Sequence, residues 1–274
     1  METLRQKKGF ICDMDGVIYH GSRLLPGVKE FVDWLYKEDK QFLFLTNASG
    51  KTPRELQQKL KRMGLDVDES HFYTSALATA KFLSRQSPGC SAYVIGEPGL
   101  FNALHDAGII INDVDPDYVV IGESTNYNYD SICRAMRLVM NGAKLIGTNP
   151  DLTGPSEDGI VPACQAFVAP IEVTTGKRAY YVGKPNPLMM RTGLQMLGAP
   201  MTLGTTAVPA GSLLVFAGQP SPDRVLAIDL ATGSVLASLS LGANLDMSAG
   251  VFDATTGHLF VTSSAAPNTA LREI

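Results

Sequence analysis

The chain has 274 residues with 23 basic and 27 acidic side chains, which gives it a net charge of −4 at neutral pH. This balance provides no basic surface for nucleic acid, and the negative bias is too mild to indicate a charged partner. The four cysteines lie far apart without a C-x-x-C pair, which favours reduced thiols. No apolar run reaches membrane-spanning length, and the polar N-terminus lacks an export signal. We therefore expect a cytoplasmic protein with neither a membrane nor a nucleic-acid partner.

The first predicted strand, residues 10–12, runs directly into two carboxylates, Asp13 and Asp15, followed by Gly16. Alternate residues of an extended chain point to the same side, so the two carboxylates should project together where a buried strand ends. Ligands of open α/β sheets bind at the carboxyl ends of the strands. Such a pair can bind a hard cation such as Mg²⁺, and one carboxylate can attack an electrophile. A polar turn that merely closes the strand is the alternative.

Two later strands also end in polar side chains. Residues 41–45 form an apolar run that ends in Thr46 and Asn47, and the short run 180–182 is followed by Lys184. A nucleophile, neutral donors and a cation are together what a phosphoryl group needs. Taken singly, Thr46 could be a helix cap and Lys184 a solvated surface charge, but the joint occurrence of these residues favours a phosphate site.

Between these signals the chain alternates between helix and strand patterns, which predicts an α/β fold with a parallel sheet. Thr52 and Glu55 form a capping box that predicts a helix start. Further strands are predicted at residues 92–96, 118–122 and 144–147. The last of these precedes Asn149 and Asp151, which are candidates to touch a substrate. Two acids at the other strand ends, Glu97 and Glu123, are expected to be solvated loop residues.

Three motifs then give a family resemblance over about residues 8–199. They read D-x-D-G-V from Asp13, L-T-N ending at Asn47, and V-G-K-P-x-P around Lys184. The chain resembles the phosphatases of the haloacid dehalogenase superfamily, and more closely their NagD-like branch. The resemblance implies a Rossmannoid parallel-sheet core formed by residues 1–76 and 177–199. It also implies an inserted α/β cap over residues 77–176, which would select the leaving group.

The resemblance further implies a role for each motif residue. Asp13 would be the nucleophile that forms a phospho-aspartyl intermediate, and it would also ligate Mg²⁺. Asp15 would act as acid and base, with its backbone carbonyl as a second metal ligand. Thr46, Asn47 and Lys184 would hold the phosphoryl oxygens. The substrate would be a small phosphorylated metabolite of the nucleotide or sugar monophosphate class.

The resemblance ends at Ala199. A fourth motif, Gly-Asp after a further strand, supplies another carboxylate ligand of Mg²⁺ in this family, and no Gly-Asp dipeptide follows Ala199. The remaining acids of the tail stand in other contexts: Asp223, Asp229, Asp246, Asp253 and Glu273. We therefore expect a core that is incomplete at its C-terminal end, weak Mg²⁺ binding and impaired catalysis.

The tail, residues 200–274, has a different sequence pattern from the rest of the chain. Short apolar runs alternate with turns, and two of the turns contain Thr-Gly, at residues 232–233 and 256–257. This pattern predicts β-hairpins and resembles a fragment of a β-propeller of the YVTN or NHL kind. A spliced fragment and a divergent lineage with replaced strands are both open.

Three hypotheses of function remain. They are an impaired Mg²⁺-dependent phosphomonoester hydrolase, a catalytically dead phosphate-binding or interaction protein, and a chimera without a selected function.

Overall fold

The computed structural model describes residues 5–156 and 159–198 in full, and further along the chain it describes the backbone of the strands between residues 201 and 273. The chain divides into two compact units, Met1–Met190 and Arg191–Ile274. Among the described residues, no helix is both long and apolar enough to cross a lipid bilayer.

Helices and strands alternate along the first unit, as the sequence pattern predicts. The helices are α1 (Val28–Lys37), α2 (Pro53–Arg62), α3 (Ser75–Gln86), α4 (Pro98–Asp106), α5 (Tyr129–Met140), α6 (Cys164–Thr175) and α7 (Pro187–Met196), which runs into the second unit. The strands are β1 (Gly9–Cys12), β2 (Tyr19–His20), β3 (Arg23–Leu24), β4 (Gln41–Thr46), β5 (Phe72–Thr74), β6 (Ser91–Ile95), β7 (Ile110–Ile111), β8 (Tyr118–Ile121), β9 (Lys144–Gly147), β10 (Thr153–Ser156), β11 (Gly159–Pro162) and β12 (Tyr180–Tyr181).

The first sheet has three parallel strands in the order β1-β4-β5. Five of the six residues of β4 are buried, whereas the residues of β1 are half-buried or exposed. The sequence predicted a buried strand here, and for β1 this is wrong. Within the described residues β1 pairs only with β4, so its other edge lacks the cover that a central strand has.

The second sheet has five parallel strands in the order β12-β9-β8-β6-β7. Its central strand β8 is buried at all four residues, and its apolar side chains pack against α5 and α6. The strands predicted at residues 92–96, 118–122 and 144–147 are confirmed as β6, β8 and β9, with ends that differ by at most one residue.

The strand before Lys184 lies in this second sheet. Tyr180 pairs with Ile146 and Tyr181 with Gly147, in parallel. The resemblance implies that residues 177–199 belong to the core together with β1, whereas among the described strands β12 pairs with β9 and β1 with β4.

The second unit, taken by itself, is built of antiparallel strands. They are β13 (Met201–Leu203), β14 (Thr206–Val208), β15 (Leu213–Ala217), β16 (Arg224–Ile228), β17 (Val235–Ser240), β18 (Met247–Asp253), β19 (His258–Ser263) and β20 (Leu271–Glu273). The predicted antiparallel pairing is present, because β16 pairs with β17 and β18 with β19, while the two Thr-Gly segments lie outside the described residues. The five tail acids named above lie outside the residues whose side chains the structure describes.

Candidate active site

Asp13 and Asp15 stand on a tight loop directly after β1. Met14 between them is fully buried, and so is Ile18 further along the loop. Ile18 N donates to Met14 O at 2.8 Å, which closes the loop. Because Met14 anchors the loop inward, both carboxylates are exposed on its outer side, as the alternation predicted.

One oxygen of Asp13 is engaged and the other is open. Lys184 Nζ lies 2.6 Å from Asp13 Oδ1, and Met14 N donates to the same oxygen at 2.8 Å. Lys184 Nζ also donates to Leu45 O at 3.3 Å. No hydrogen bond or ion pair among the described residues uses Asp13 Oδ2. The Asp13 side chain is 48% exposed, so this oxygen can be reached from solvent.

Asn47 fixes the backbone of Lys184 and thereby aims its side chain. Lys184 N donates to Asn47 Oδ1 at 2.7 Å, and Asn47 Nδ2 donates to Lys184 O at 3.0 Å. The same Nδ2 donates to Asp151 Oδ2 at 2.9 Å. Gly183 permits this close approach, because a Cβ there would lie 2.7 Å from Asn47 Oδ1 and 2.6 Å from Thr148 O.

Thr46 is 2% exposed, and its hydroxyl oxygen accepts from Ala48 N at 3.1 Å. It is not a helix cap, which was the alternative weighed from the sequence. The capping box belongs to Thr52 and Glu55 as predicted, with Glu55 N donating to Thr52 Oγ1 at 3.2 Å. The structure therefore brings together Asp13, Thr46, Asn47 and Lys184 from three chain segments.

Asn149 does not line the site, contrary to the sequence expectation. It is fully buried, and its Nδ2 donates to Asn47 O and to Glu123 Oε1, both at 2.8 Å. Its Oδ1 accepts from Asp151 N at 3.1 Å. Since the whole amide group is used within the protein, Asn149 supports the neighbouring loop. Asp151 is exposed beside Asn47, where it can contact a ligand.

The two strand-end acids lie in loops, as expected, and both accept hydrogen bonds there. Glu97 accepts from Thr125 N at 2.6 Å and from Thr125 Oγ1 at 2.8 Å, and these hydrogen bonds hold its pKa below the ordinary value. Glu123 accepts from Ser49 and from Asn149. The sequence signal that could have found Glu123 is its place directly after a buried parallel strand.

Tyr19 is a further neighbour of the carboxylates that sequence reasoning missed. It is 3% exposed, and Lys59 Nζ lies 3.6 Å from the centre of its ring. Burial first, and then the charge of Asp15, raise the pKa of Tyr19, so the phenol stays neutral beside Asp15. Burial also raises the pKa of the Cys12 thiol to about 11, so Cys12 is no rival nucleophile to Asp13 at neutral pH.

Two oxygen donors suit a hard cation at this position. They are the Asp13 carboxylate and the backbone carbonyl of Asp15, and oxygen ligands of this kind are what Mg²⁺ takes. Within the described part of the chain, no three His, Cys, Asp or Glu side chains gather as a metal cluster. These residues therefore fit Mg²⁺ as two of its protein ligands.

Comparison with known proteins identifies the family of the chain. The family model described as haloacid dehalogenase-like hydrolase matches residues 10–110. The chain is 46% identical over 190 residues to the dihydroxyacetone phosphatase of Corynebacterium glutamicum, a match that covers 69% of each chain. It is 43% identical over 192 residues to the ribonucleotide monophosphatase NagD of Escherichia coli, covering 70% of this chain and 75% of that one.

The solved structure of NagD from E. coli K-12 superposes with a TM-score of 0.67 at 42% identity, covering 71% of this chain and 76% of that one. The chain therefore belongs to the haloacid dehalogenase-like hydrolases. Its relatives place it beside the NagD-like phosphatases of that family.

Proposed function

We propose that the chain is a Mg²⁺-dependent phosphomonoester hydrolase that works through a phospho-aspartyl intermediate on Asp13. The observation that carries the proposal is the contact of Lys184 Nζ with one oxygen of Asp13, which leaves the other oxygen open. A cation in this position neutralises charge on an incoming phosphoryl group. The substrate is a small phosphorylated metabolite of the nucleotide or sugar monophosphate class, which the names of the two relatives support.

The reaction has two balanced steps. The Asp13 carboxylate attacks phosphorus, and the ester oxygen leaves as an alcohol with a proton from Asp15. Asp15 then takes a proton from water, which attacks the acyl phosphate, releases inorganic phosphate and restores Asp13. Thr46, Asn47 and Lys184 hold the phosphoryl oxygens during both steps, with Asn47 acting through its backbone because its side-chain amide is bound to Lys184 and Asp151. Asp13 and the Asp15 carbonyl would hold Mg²⁺, which would supply charge neutralisation at the phosphoryl group.

We assign residues 1–76 and 177–199 to the catalytic core and residues 77–176 to a cap that selects the leaving group. Two observations support this division. Strands β1, β4 and β5 form a sheet separate from β6 to β9, which β12 of the core range joins at its edge, and Asp151 on the cap side reaches Asn47 on the core side. We place the activity in the cytoplasm, as the four free cysteines favour.

The test is hydrolysis of p-nitrophenyl phosphate with Mg²⁺ by the full chain and by Asp13→Asn. An amide cannot serve as the nucleophile at phosphorus, so turnover should fall to background. Asp33→Asn is the matched control, because Asp33 is an exposed residue paired with Lys29 on α1. Turnover that survives in Asp13→Asn contradicts the assignment.

We further propose that the chain is impaired, because the segment after Ala199 carries no Gly-Asp motif. Two protein ligands leave most of the Mg²⁺ shell to water, which weakens binding. The tail from residue 200 is proposed as a propeller-like fragment, which its antiparallel hairpins support.

Replacing residues 199–274 by the C-terminal segment of E. coli NagD should restore tight Mg²⁺ binding and raise kcat by roughly 10²-fold or more. A wild-type chain that already saturates at sub-millimolar Mg²⁺, with turnover equal to the graft, contradicts impairment. Phosphate binding without turnover favours a dead binding protein. A protease-resistant core that ends near Ala199 favours a chimera without a selected function.

A further inference from the structure

We propose that Glu123 is a positioning residue, whose carboxylate holds the loop after β4 so that Thr46 and Asn47 face the phosphoryl group. The benefit to phosphate binding rests on the proposed function, whereas the hold on the loop stands on geometry alone. Glu123 is neither a motif residue nor in contact with Asp13, and it follows the central strand β8 of the five-stranded sheet.

Both carboxylate oxygens of Glu123 are bound by buried donors. Glu123 Oε2 accepts from Ser49 N at 3.3 Å and makes a close contact with Ser49 Oγ. Glu123 Oε1 accepts from Asn149 Nδ2 at 2.8 Å. Ser49 and Asn149 are each 0% exposed, so water cannot replace the carboxylate without a rearrangement.

The effect of Glu123 continues through Asn149 to Asn47. Asn149 Nδ2 donates to Asn47 O at 2.8 Å, and Ser75 Oγ donates to the same carbonyl at 2.5 Å. The peptide between residues 47 and 48 is thereby held in one orientation. Glu123 therefore acts on the loop at two points, directly at Ser49 and through Asn149 at Asn47.

The loop after β4 packs closely against the end of β8. A Cβ on Gly122 would lie 2.7 Å from Ser49 Oγ, so only glycine allows this approach. No ion pair among the described residues includes Glu123, and its charge is met by hydrogen-bond donors alone. Loss of the carboxylate leaves the donors of Ser49 and Asn149 without their acceptor, and the loop is free to change conformation.

The chain contains a matched control in the same sheet. Residues 95–97 and 121–123 share the sequence Ile-Gly-Glu, and each glutamate follows the end of a parallel strand by two residues. Glu97 also accepts from the backbone N and the hydroxyl of a single residue, Thr125. No described hydrogen bond joins the Glu97 carboxylate to Asn47 or Ser49. Its side-chain carbons lie beside Gly50, and glutamine keeps those carbons, so Glu97→Gln removes the same charge while preserving the contacts of residues 46–49.

The experiment compares the full chain with Glu123→Gln, Glu97→Gln and Ser49→Ala. Three quantities are measured: amide hydrogen exchange of residues 46–51, the Kd for inorganic phosphate, and kcat/KM for p-nitrophenyl phosphate with Mg²⁺. In Glu123→Gln we expect loop exchange to be roughly tenfold faster and phosphate Kd to rise roughly tenfold, the effect of one lost charge-assisted hydrogen bond. Glu97→Gln should match wild type in all three.

Ser49→Ala removes the partner while keeping the charge, so it tests the contact even if Glu123→Gln folds poorly. It should also speed loop exchange, and the double variant should be less than additive because the two residues share one interaction. A merely structural role would lower Tm in Glu123→Gln while leaving phosphate Kd unchanged below the transition, and this would overturn the inference.

Unchanged exchange of residues 46–51 in Glu123→Gln would overturn it as well. A wild-type chain that neither binds phosphate nor hydrolyses the ester contradicts the proposed function instead. In that case the exchange of the loop still decides whether Glu123 holds it.

Discussion

The two parallel sheets of the first unit contribute different kinds of residue to the proposed site. The three-stranded sheet supplies the groups proposed to react, since Asp13 and Asp15 follow β1 and Thr46 ends β4. The five-stranded sheet supplies the residues that hold them, namely Glu123, Asn149 and the segment that leads to Lys184. The strand that leads to Asp13 is less buried than the central strand of the five-stranded sheet, because β1 is half-buried or exposed while β8 is buried throughout.

This contrast indicates that the positions of the reacting groups depend on contacts from outside their own sheet. Asn47 is hydrogen-bonded to residues that follow the five-stranded sheet. Its side-chain amide binds Lys184 and Asp151, and its backbone carbonyl accepts from Asn149. The site can be ordered although β1 is only partly buried, because residues of the five-stranded sheet hold the loop after β4.

The sharpest test of this division compares two aspartates by the same substitution. Asp15→Asn on the side of the three-stranded sheet should lower kcat by roughly 10²–10⁴-fold, because it removes the general acid and base. Asp151→Asn on the side of the five-stranded sheet should mainly raise KM, by roughly tenfold or less, because Asp151 touches Asn47 and not the reacting atoms. Steady-state kinetics with p-nitrophenyl phosphate separates them. Equal losses of kcat would break the comparison.

A second test compares the contribution of strands β1 and β8 to the stability of the protein. Ile121 in β8 is fully buried and Ile11 in β1 is half-buried. Ile121→Ala should lower the free energy of unfolding by roughly 2–5 kcal/mol, and Ile11→Ala by roughly half as much, because less apolar surface is lost from the core. Urea unfolding followed by circular dichroism and by the fluorescence of Trp34 measures both. If Ile11→Ala proves the more costly, β1 is better covered than its exposure indicates.

The smallest expected effect is a pH-dependent one at Glu97 in the five-stranded sheet. Hydrogen bonds from Thr125 hold the pKa of Glu97 below its unfolded value, so the ionised carboxylate contributes stability above the unfolded pKa. That contribution is lost as the pH falls through the lower, folded pKa. The Tm of Glu97→Gln should therefore be about 1–3 °C below wild type at pH 7, and the gap should narrow toward acid. A gap that stays constant with pH would show that the carboxylate charge is not the cause.

The amino-acid sequence by itself determined the local features of this protein. The capping box of Thr52 and Glu55 and the strands β4, β6, β8 and β9 were predictable, because helix caps and apolar runs depend on residues close together in the chain. The motifs around Asp13, Asn47 and Lys184 were predictable for the same reason, since each is a short segment at a strand end.

The tertiary structure decided which of these segments support one another. Glu123 and Ser49 are 74 residues apart, and Asn149 and Asn47 are 102 residues apart, yet each pair is joined by a hydrogen bond. The burial of Asn149 and the place of β12 beside β9 depend on the same long-range packing. No local pattern encodes such contacts, because the free energy of a buried hydrogen bond depends on what surrounds it after the chain has folded.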